Sequence, residues 1–230
     1  MTIYKQDNFN VIHLTDGKLI MEAVKLINNN QADGINFNFT KNFPAHINEL
    51  KLAQNTKYIQ INGYGSNRDF DYSAINDLSK IEHLSIYTTD KKEIDYLNFP
   101  IIKSTALFWR SKAKSLFQYI NLESLFIGKY NTTDLLKFEF LEKLKYLRIN
   151  TGSIKTLDGI EKLQNLDTLL LVETSRLENI NGIEKLSNLR YLKIDNCRNV
   201  KNIELVKKLK NVKTLEIGGT TPQPIIDKIN

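Results

Sequence analysis

The sequence predicts an α/β repeat fold: a curved parallel β-sheet lining a concave side, with short helices or turns closing a convex side. Three observations predict it. The segment from Leu122 to Ile217 repeats with a period of 22 to 23 residues, each period opens with the apolar pattern L-x-x-L-x-[IL], and polar returns separate the copies. The copies are LESLFI at Leu122, LKYLRI at Leu144, LDTLLL at Leu166, LRYLKI at Leu189 and VKTLEI at Val212, at intervals of 22, 22, 23 and 23. A period in this range marks stacked units that cannot bury their apolar side alone. The fourth and sixth positions alternate as a strand requires and point inward, while the third and fifth face the other way. The returns LDGIEKLQNL and INGIEKLSNL supply Ile160, Leu163, Ile183 and Leu186 to close the core from the convex side.

Five consecutive units that keep phase and residue type resemble the leucine-rich repeat, in the short bacterial version found in internalin-type proteins. In that family the ninth position usually carries Asn or Cys serving the backbone of the turn. Here it holds Gly152, Thr174, Cys197 and Thr220. The resemblance therefore implies that Cys197 is a buried structural residue, and that the turns, lacking an Asn ladder, are looser than in the internalins.

Toward the N-terminus the same frame continues in degraded form. ADGINF at Ala32, TKYIQI at Thr56, IEHLSI at Ile81 and IKSTAL at Ile102 follow one another at uneven intervals. Longer returns have room for helix, and FPAHINELKLAQN supports one with Pro44 at its start and Ile47, Leu50 and Ala53 on one face. Before Ala32, DGKLIMEAVKLINNN places Leu19, Ile20, Ala23, Val24 and Ile27 on one helical stripe with Asp16 as cap, preceded by the strand-like NFNVIHL. The expected organisation is one continuous domain: residues 1–31 an N-terminal cap, 32–121 irregular repeats, 122–220 regular repeats, and 221–230 a short lid carrying Ile225, Ile226 and Ile229.

Composition narrows the function classes. The longest apolar runs, such as TLLLV, are far short of the roughly 18 residues that span a bilayer, so no membrane partner is expected. The start MTIYKQDNFNVIHL shows no secretory leader, which gives a cytoplasmic expectation. A single cysteine among 230 residues excludes an internal disulfide and a multi-cysteine metal site. The formal net charge of +6 comes from dispersed Lys rather than clustered Arg, so a nucleic acid is the less favoured partner.

No constellation for catalysis stands out. His13, His46 and His83 fall in different units without metal-ligand spacing, and His83 reads as a solvated outward residue. NGYGSN lacks the Lys-Ser/Thr of a phosphate loop, and Asp69 and Asp71 near Arg68 look like loop solvation. The sequence therefore predicts no metal, no cofactor and no enzyme activity.

The frame does predict an interaction surface. Its third, fifth, seventh and eighth positions place Tyr58, His83, Tyr87, Phe108, Trp109, Phe126, Tyr146, Arg148, Leu170, Tyr191, Lys193 and Asp195 on the concave face, with Arg110 beside them. Aromatic residues with Arg among them match the composition of protein-binding hot spots. The expectation is a monomer or weak dimer that binds a protein partner. One specific role is an immunity or inhibitor protein that covers the active site of a bacterial toxin. The alternatives are nucleic-acid binding through the basic surface and a surface adhesion module.

Overall fold

The structure, a computed structural model, describes residues 1–38, 43, 46–63, 70–90, 92–118 and 121–219. Its backbone forms two compact units, Met1–Ser115 and Leu116–Asn230. Pro44, residues 64–69 and the expected lid at 221–230 lie outside the described residues.

In the first unit, β1 (Thr2–Gln6) and β2 (Phe9–Leu14) form an antiparallel hairpin through a two-residue turn, with Asp7 in the left-handed region at φ 52. From β2 onward the pairing is parallel, running through β3 (Gly34–Asn38), β4 (Tyr58–Asn62) and β5 (His83–Tyr87). A two-residue strand β6 (Ile94–Asp95) precedes β7 (Ser104–Phe108), which extends the main sheet from β5, and β6 pairs with the equally short β8 (Ala113–Lys114). The helix α1 (Ile20–Asn28) joins β2 to β3. Ile20, Ala23, Val24 and Ile27 of the expected stripe are buried, Leu19 is partly so, and the Asp16 carboxylate accepts the Lys18 N–H at 3.0 Å. The hairpin strand β1 has no counterpart in the sequence expectation, because TIYKQ buries almost nothing and shows no apolar alternation.

The second unit is the regular array: β9 (Ser124–Gly128), β10 (Tyr146–Asn150), β11 (Thr168–Val172), β12 (Tyr191–Asp195) and β13 (Thr214–Gly218), each parallel to the last with no register slip. In both units the repeat strands, β3, β4, β5 and β7 in the first and β9 to β13 in the second, begin two residues after the first residue of their motifs, so the predicted frame holds in the irregular repeats as well. The inward pairs Leu125 and Ile127, Leu147 and Ile149, Leu169 and Leu171, and Leu192 and Ile194 are fully buried.

Past α1, the helical turns described in the returns are 3₁₀. The helix expected in FPAHINELKLAQN is described as a five-residue 3₁₀ turn, Asn48–Leu52. The reason is in the spacing: Ile47, Leu50 and Ala53 recur every three residues, as do Leu157, Ile160, Leu163 and Leu166, and three residues per turn is the 3₁₀ period. Backbone bonds follow that period, with Ile160 N–H donating to Leu157, Leu163 to Ile160 and Leu166 to Leu163, at 2.8 to 3.0 Å.

The conserved look of the two GIEKL segments has a local cause. Gly159 and Gly182 take φ of 101 and 96 at the start of each return, and the Glu two residues later accepts the glycine N–H, Glu161 at 3.0 Å and Glu184 at 2.8 Å. A Cβ on Gly159 would also sit 2.6 Å from the Leu135 carbonyl oxygen.

The absent Asn ladder is replaced elsewhere. Asn165, Asn188 and Asn211, each just before a motif, donate to the carbonyls of Glu142, Gln164 and Ser187 in the preceding unit at 2.8, 2.8 and 2.6 Å. At the ninth position Thr174 Oγ1 and Cys197 Sγ pair at 2.8 Å, and Cys197 is fully buried with its thiol pushed up by burial. Stacking should be most sensitive to the fully buried inward residues. Leu169→Ala is expected to cost about 2–5 kcal/mol in urea unfolding, whereas Leu136→Ala, on a side chain 56% exposed, should stay within about 0.5 kcal/mol.

Candidate functional site

The outward face of the second unit is a grid set by strand register. One row reads Ser124, Tyr146, Thr168, Tyr191 and Thr214, and the next reads Phe126, Arg148, Leu170, Lys193 and Glu216. The third reads Gly128, Asn150, Val172, Asp195 and Gly218. The strand β11 contributes three short side chains, Thr168, Leu170 and Val172, between two strands with long ones. Neighbouring strands lie about 4.8 Å apart, so the flanking strands β10 and β12 stand about 10 Å from one another with a trough between them. Leu170 and Val172 make its floor apolar, and Thr168 closes one end between Tyr146 and Tyr191. All seven expected contacts in this unit, Phe126, Tyr146, Arg148, Leu170, Tyr191, Lys193 and Asp195, are partly exposed here.

Electrostatics on this face are local. Glu216 accepts from both Tyr191 Oη and Lys193 Nζ, the latter at 3.0 Å, and these bonds lower the Glu216 carboxyl while raising Tyr191 and Lys193. The Arg148 guanidinium lies 5.3 Å over the Phe126 ring, and its Nη2 reaches Asn150 Oδ1 at 3.4 Å. At the strand starts the second positions pair across units, Lys145 with Glu123 at 2.7 Å and Arg190 with Asp167 at 3.4 Å. Tyr146, Thr168 and these rim residues Lys145, Asp167 and Arg190 border an open hollow of about 500 Å³. The rim pairs follow from sequence positions next to each motif, a signal the sequence reading did not use; the first unit repeats it with Asp33–Lys57 and Glu82–Lys103.

The outward face of the first unit is built differently, and two expected contacts are corrected there. Tyr58 is fully buried. Gly34 beside it has no side chain, and a Cβ there would overlap the Tyr58 carbonyl oxygen at 1.8 Å; Phe9 of the hairpin packs against the Tyr58 ring at 5.6 Å. Arg110 is 5% exposed because it is the ninth residue of its unit, where the chain turns inward. It donates to Tyr72 Oη at 2.8 Å, Asp90 Oδ1 at 2.9 Å and both oxygens of Thr88 at 3.0 and 3.1 Å. Burial alone would raise the Asp90 carboxyl, but hydrogen bonds from Thr88 and the Lys92 amide and the Arg110 charge prevail and hold it below the usual carboxylate range.

His83 is also unlike the solvated residue the sequence suggested. Its ring stacks on Tyr58 with centroids 4.3 Å apart and planes 2° from parallel, and its Nε2 lies 2.7 Å from Ser85 Oγ. Burial pulls its pKa down to about 4, against the opposing charge of Asp7. The Ser–His pair does not make a nucleophile: Ser85 is 2% exposed, and so weakly basic an imidazole is a poor proton acceptor at neutral pH. The remaining polar groups bond each other in a line, Tyr58 Oη to Gln60 at 2.6 Å, Gln60 to Asn62 at 3.1 Å, Asn62 to Asn36 at 2.6 Å and Asn36 to Tyr4 Oη at 2.8 Å. Tyr87 and Phe108 meet edge to face at 5.8 Å, and they and Trp109 are partly exposed.

Asp71 caps a turn by accepting the Ser73 N–H at 2.9 Å, which lowers its carboxyl; Arg68, Asp69 and the glycine loop beyond Gly63 lie outside the described residues. Among the described residues no group of three His, Cys, Asp or Glu side chains is placed to hold a metal ion, and no helix is long and apolar enough to cross a membrane.

Parallel in-register strands at every repeat, with 3₁₀ returns, decide the architecture. The chain has the leucine-rich-repeat fold. Internalin C2 from Listeria monocytogenes superposes with a TM-score of 0.56 at 18% identity, over 75% of this chain and 75% of that one. Internalin InlF of the same organism gives 0.54 at 18%, over 86% of this chain and 64% of that one. A TLR13–ssRNA13 complex gives 0.58 at 17%, over 93% of this chain and 36% of the receptor. No family model matches the sequence, and no curated protein does. At these identities the likeness extends to the leucine-rich-repeat fold alone.

Two predictions test the first unit. Arg110→Ala strands the Asp90 carboxylate and is expected to destabilise the protein by about 3 kcal/mol at pH 7, read by urea unfolding; a change under about 0.5 kcal/mol would show that the pair contributes nothing. For His83, the folded pKa of about 4 lies below the unfolded 6.5. Above pH 6.5 the ring is neutral in both states, and as pH falls toward 4 only the unfolded chain takes up the proton. Stability relative to His83→Gln should therefore fall by about 3 kcal/mol between pH 7 and pH 4, and a flat difference across that range would contradict the buried neutral ring.

Proposed function

We propose that the protein is a non-enzymatic recognition module that binds a protein partner through the outward strand face of its second unit. The observation that carries the reading is the trough over β11, with Thr168, Leu170 and Val172 as floor and Tyr146 and Tyr191 facing each other across one end. Large, stiff aromatic side chains beside partly exposed aliphatic ones are the composition of interface hot spots, since they bury much area for little lost side-chain freedom. A surface needed only for solubility has no use for them. Lys145, Arg190 and Lys193 around the trough are tied to carboxylates, which suits selective docking more than general attraction. A narrower form of the reading, in which the captured protein is a toxic enzyme whose active site the face covers, rests on the same residues.

Purified full-length protein used as bait tests the reading against a Tyr146→Ala/Tyr191→Ala double variant. The double variant is expected to fold normally by circular dichroism and to bind its captured partner at least about tenfold more weakly. Full retention of affinity by the double variant would sink the proposal.

A further inference from the structure

We infer that Arg148 is the anchor for a carboxylate side chain of the protein partner, with an adjacent apolar residue of that partner seated on Leu170. The inference rests on the protein-recognition reading above and adds the chemistry of the contact. On this face and its rim, Lys193 is taken by Glu216, Lys145 by Glu123 and Arg190 by Asp167. Arg148 alone among these cations makes no ion pair with any described carboxylate. Its Nε is buried and has no hydrogen-bond partner, so that side of the guanidinium has lost water without gaining an acceptor. Nε itself is out of a partner's reach, but the positive charge is shared over the guanidinium, and a carboxylate on the terminal nitrogens offsets part of the cost of its desolvation.

The guanidinium is also held in place. Its Cζ lies 5.3 Å over the Phe126 ring and Nη2 reaches Asn150 Oδ1 at 3.4 Å, so part of the side-chain freedom is already lost before binding. Its register partner on the next strand is Leu170, half-exposed and apolar. An extended chain lying along the trough would meet Arg148 and Leu170 together, which selects an acidic residue next to an aliphatic or aromatic one.

Charge decides between a protein and a nucleic acid. The outward grid carries Arg148 and Lys193 against Glu216 and Asp195, so it has no net positive charge with which to follow a phosphate backbone. Asp195, one strand beyond the floor, repels an anion and would favour a cation on the partner. A protein supplies both signs, whereas a nucleic-acid backbone supplies one.

The test is panning of a phage-displayed random dodecapeptide library on the full-length protein, followed by affinity measurement with the selected synthetic peptides. Four variants are compared: Arg148→Gln, Arg148→Lys, Leu170→Glu and the double tyrosine variant. Leu170→Glu places a carboxylate beside Arg148 and satisfies it internally, so it reports on the same site without removing the arginine. The expected result is enrichment of Asp or Glu beside an apolar residue. At least a tenfold loss is expected with Arg148→Gln and with Leu170→Glu, and a partial loss with Arg148→Lys. Peptides that lose affinity in the tyrosine variant but not in Arg148→Gln or Leu170→Glu overturn the anchor while leaving the recognition face standing. Peptides insensitive to all four variants, or a library that yields no binder, overturn both. A single-stranded RNA 20-mer that binds with a steep salt dependence and is lost in Arg148→Gln overturns the protein assignment in favour of a nucleic acid.

Discussion

The constraint on which the rest depends is in-register parallel pairing between successive repeat strands. Each strand in the second unit offers only two inward side chains, too few to bury anything by itself. Stacked without slip, Leu147, Leu169 and Leu192 form one column and Ile149, Leu171 and Ile194 another, all without exposed surface. A one-residue slip anywhere would turn Tyr191 or Lys193 into the core and a leucine out to solvent. The same register that protects the core therefore fixes the outward grid, and the trough over β11 exists because short side chains fell on one column and long ones on its neighbours.

The returns solve a second problem, that of reversing direction with few residues while satisfying the backbone. A three-residue apolar period closes the core with 3₁₀ turns, left-handed glycines start them at 159 and 182, and Glu161 and Glu184 take up the glycine amides. Asparagines before each motif carry hydrogen bonds to the previous unit. The most repetitive part of the sequence is thus a device of backbone geometry. What differs between repeats, Arg148 against Leu170 against Lys193, lies on the outward face.

Much of this was legible in advance. Periodicity located the strands, including the irregular ones, because inward positions must be apolar whatever the return length. The helix expected in FPAHINELKLAQN is a 3₁₀ turn, because its apolar residues recur every three positions, and β1 leaves no pattern because its residues bury too little. In the second unit the frame placed outward the residues that the structure leaves partly exposed. In the first it misplaced Tyr58 and Arg110, and it gave His83 to solvent. Tyr58 is covered by Phe9, 49 residues earlier in the chain, and Arg110 is held by Tyr72 and Asp90 from neighbouring units.

The sequence by itself determined the repeat, its phase, which side chains face inward, and the burial of Cys197, since each follows from a local period acting over a few residues. Only the tertiary structure decided which outward residues remain available to a partner. That depends on what lies across the sheet: Phe9 packed on Tyr58, a carboxylate in reach of Arg110, Glu216 in reach of Lys193, and, among the described residues, no carboxylate paired with Arg148. Distances between side chains on different strands are set by register and side-chain size together, and no single repeat contains them.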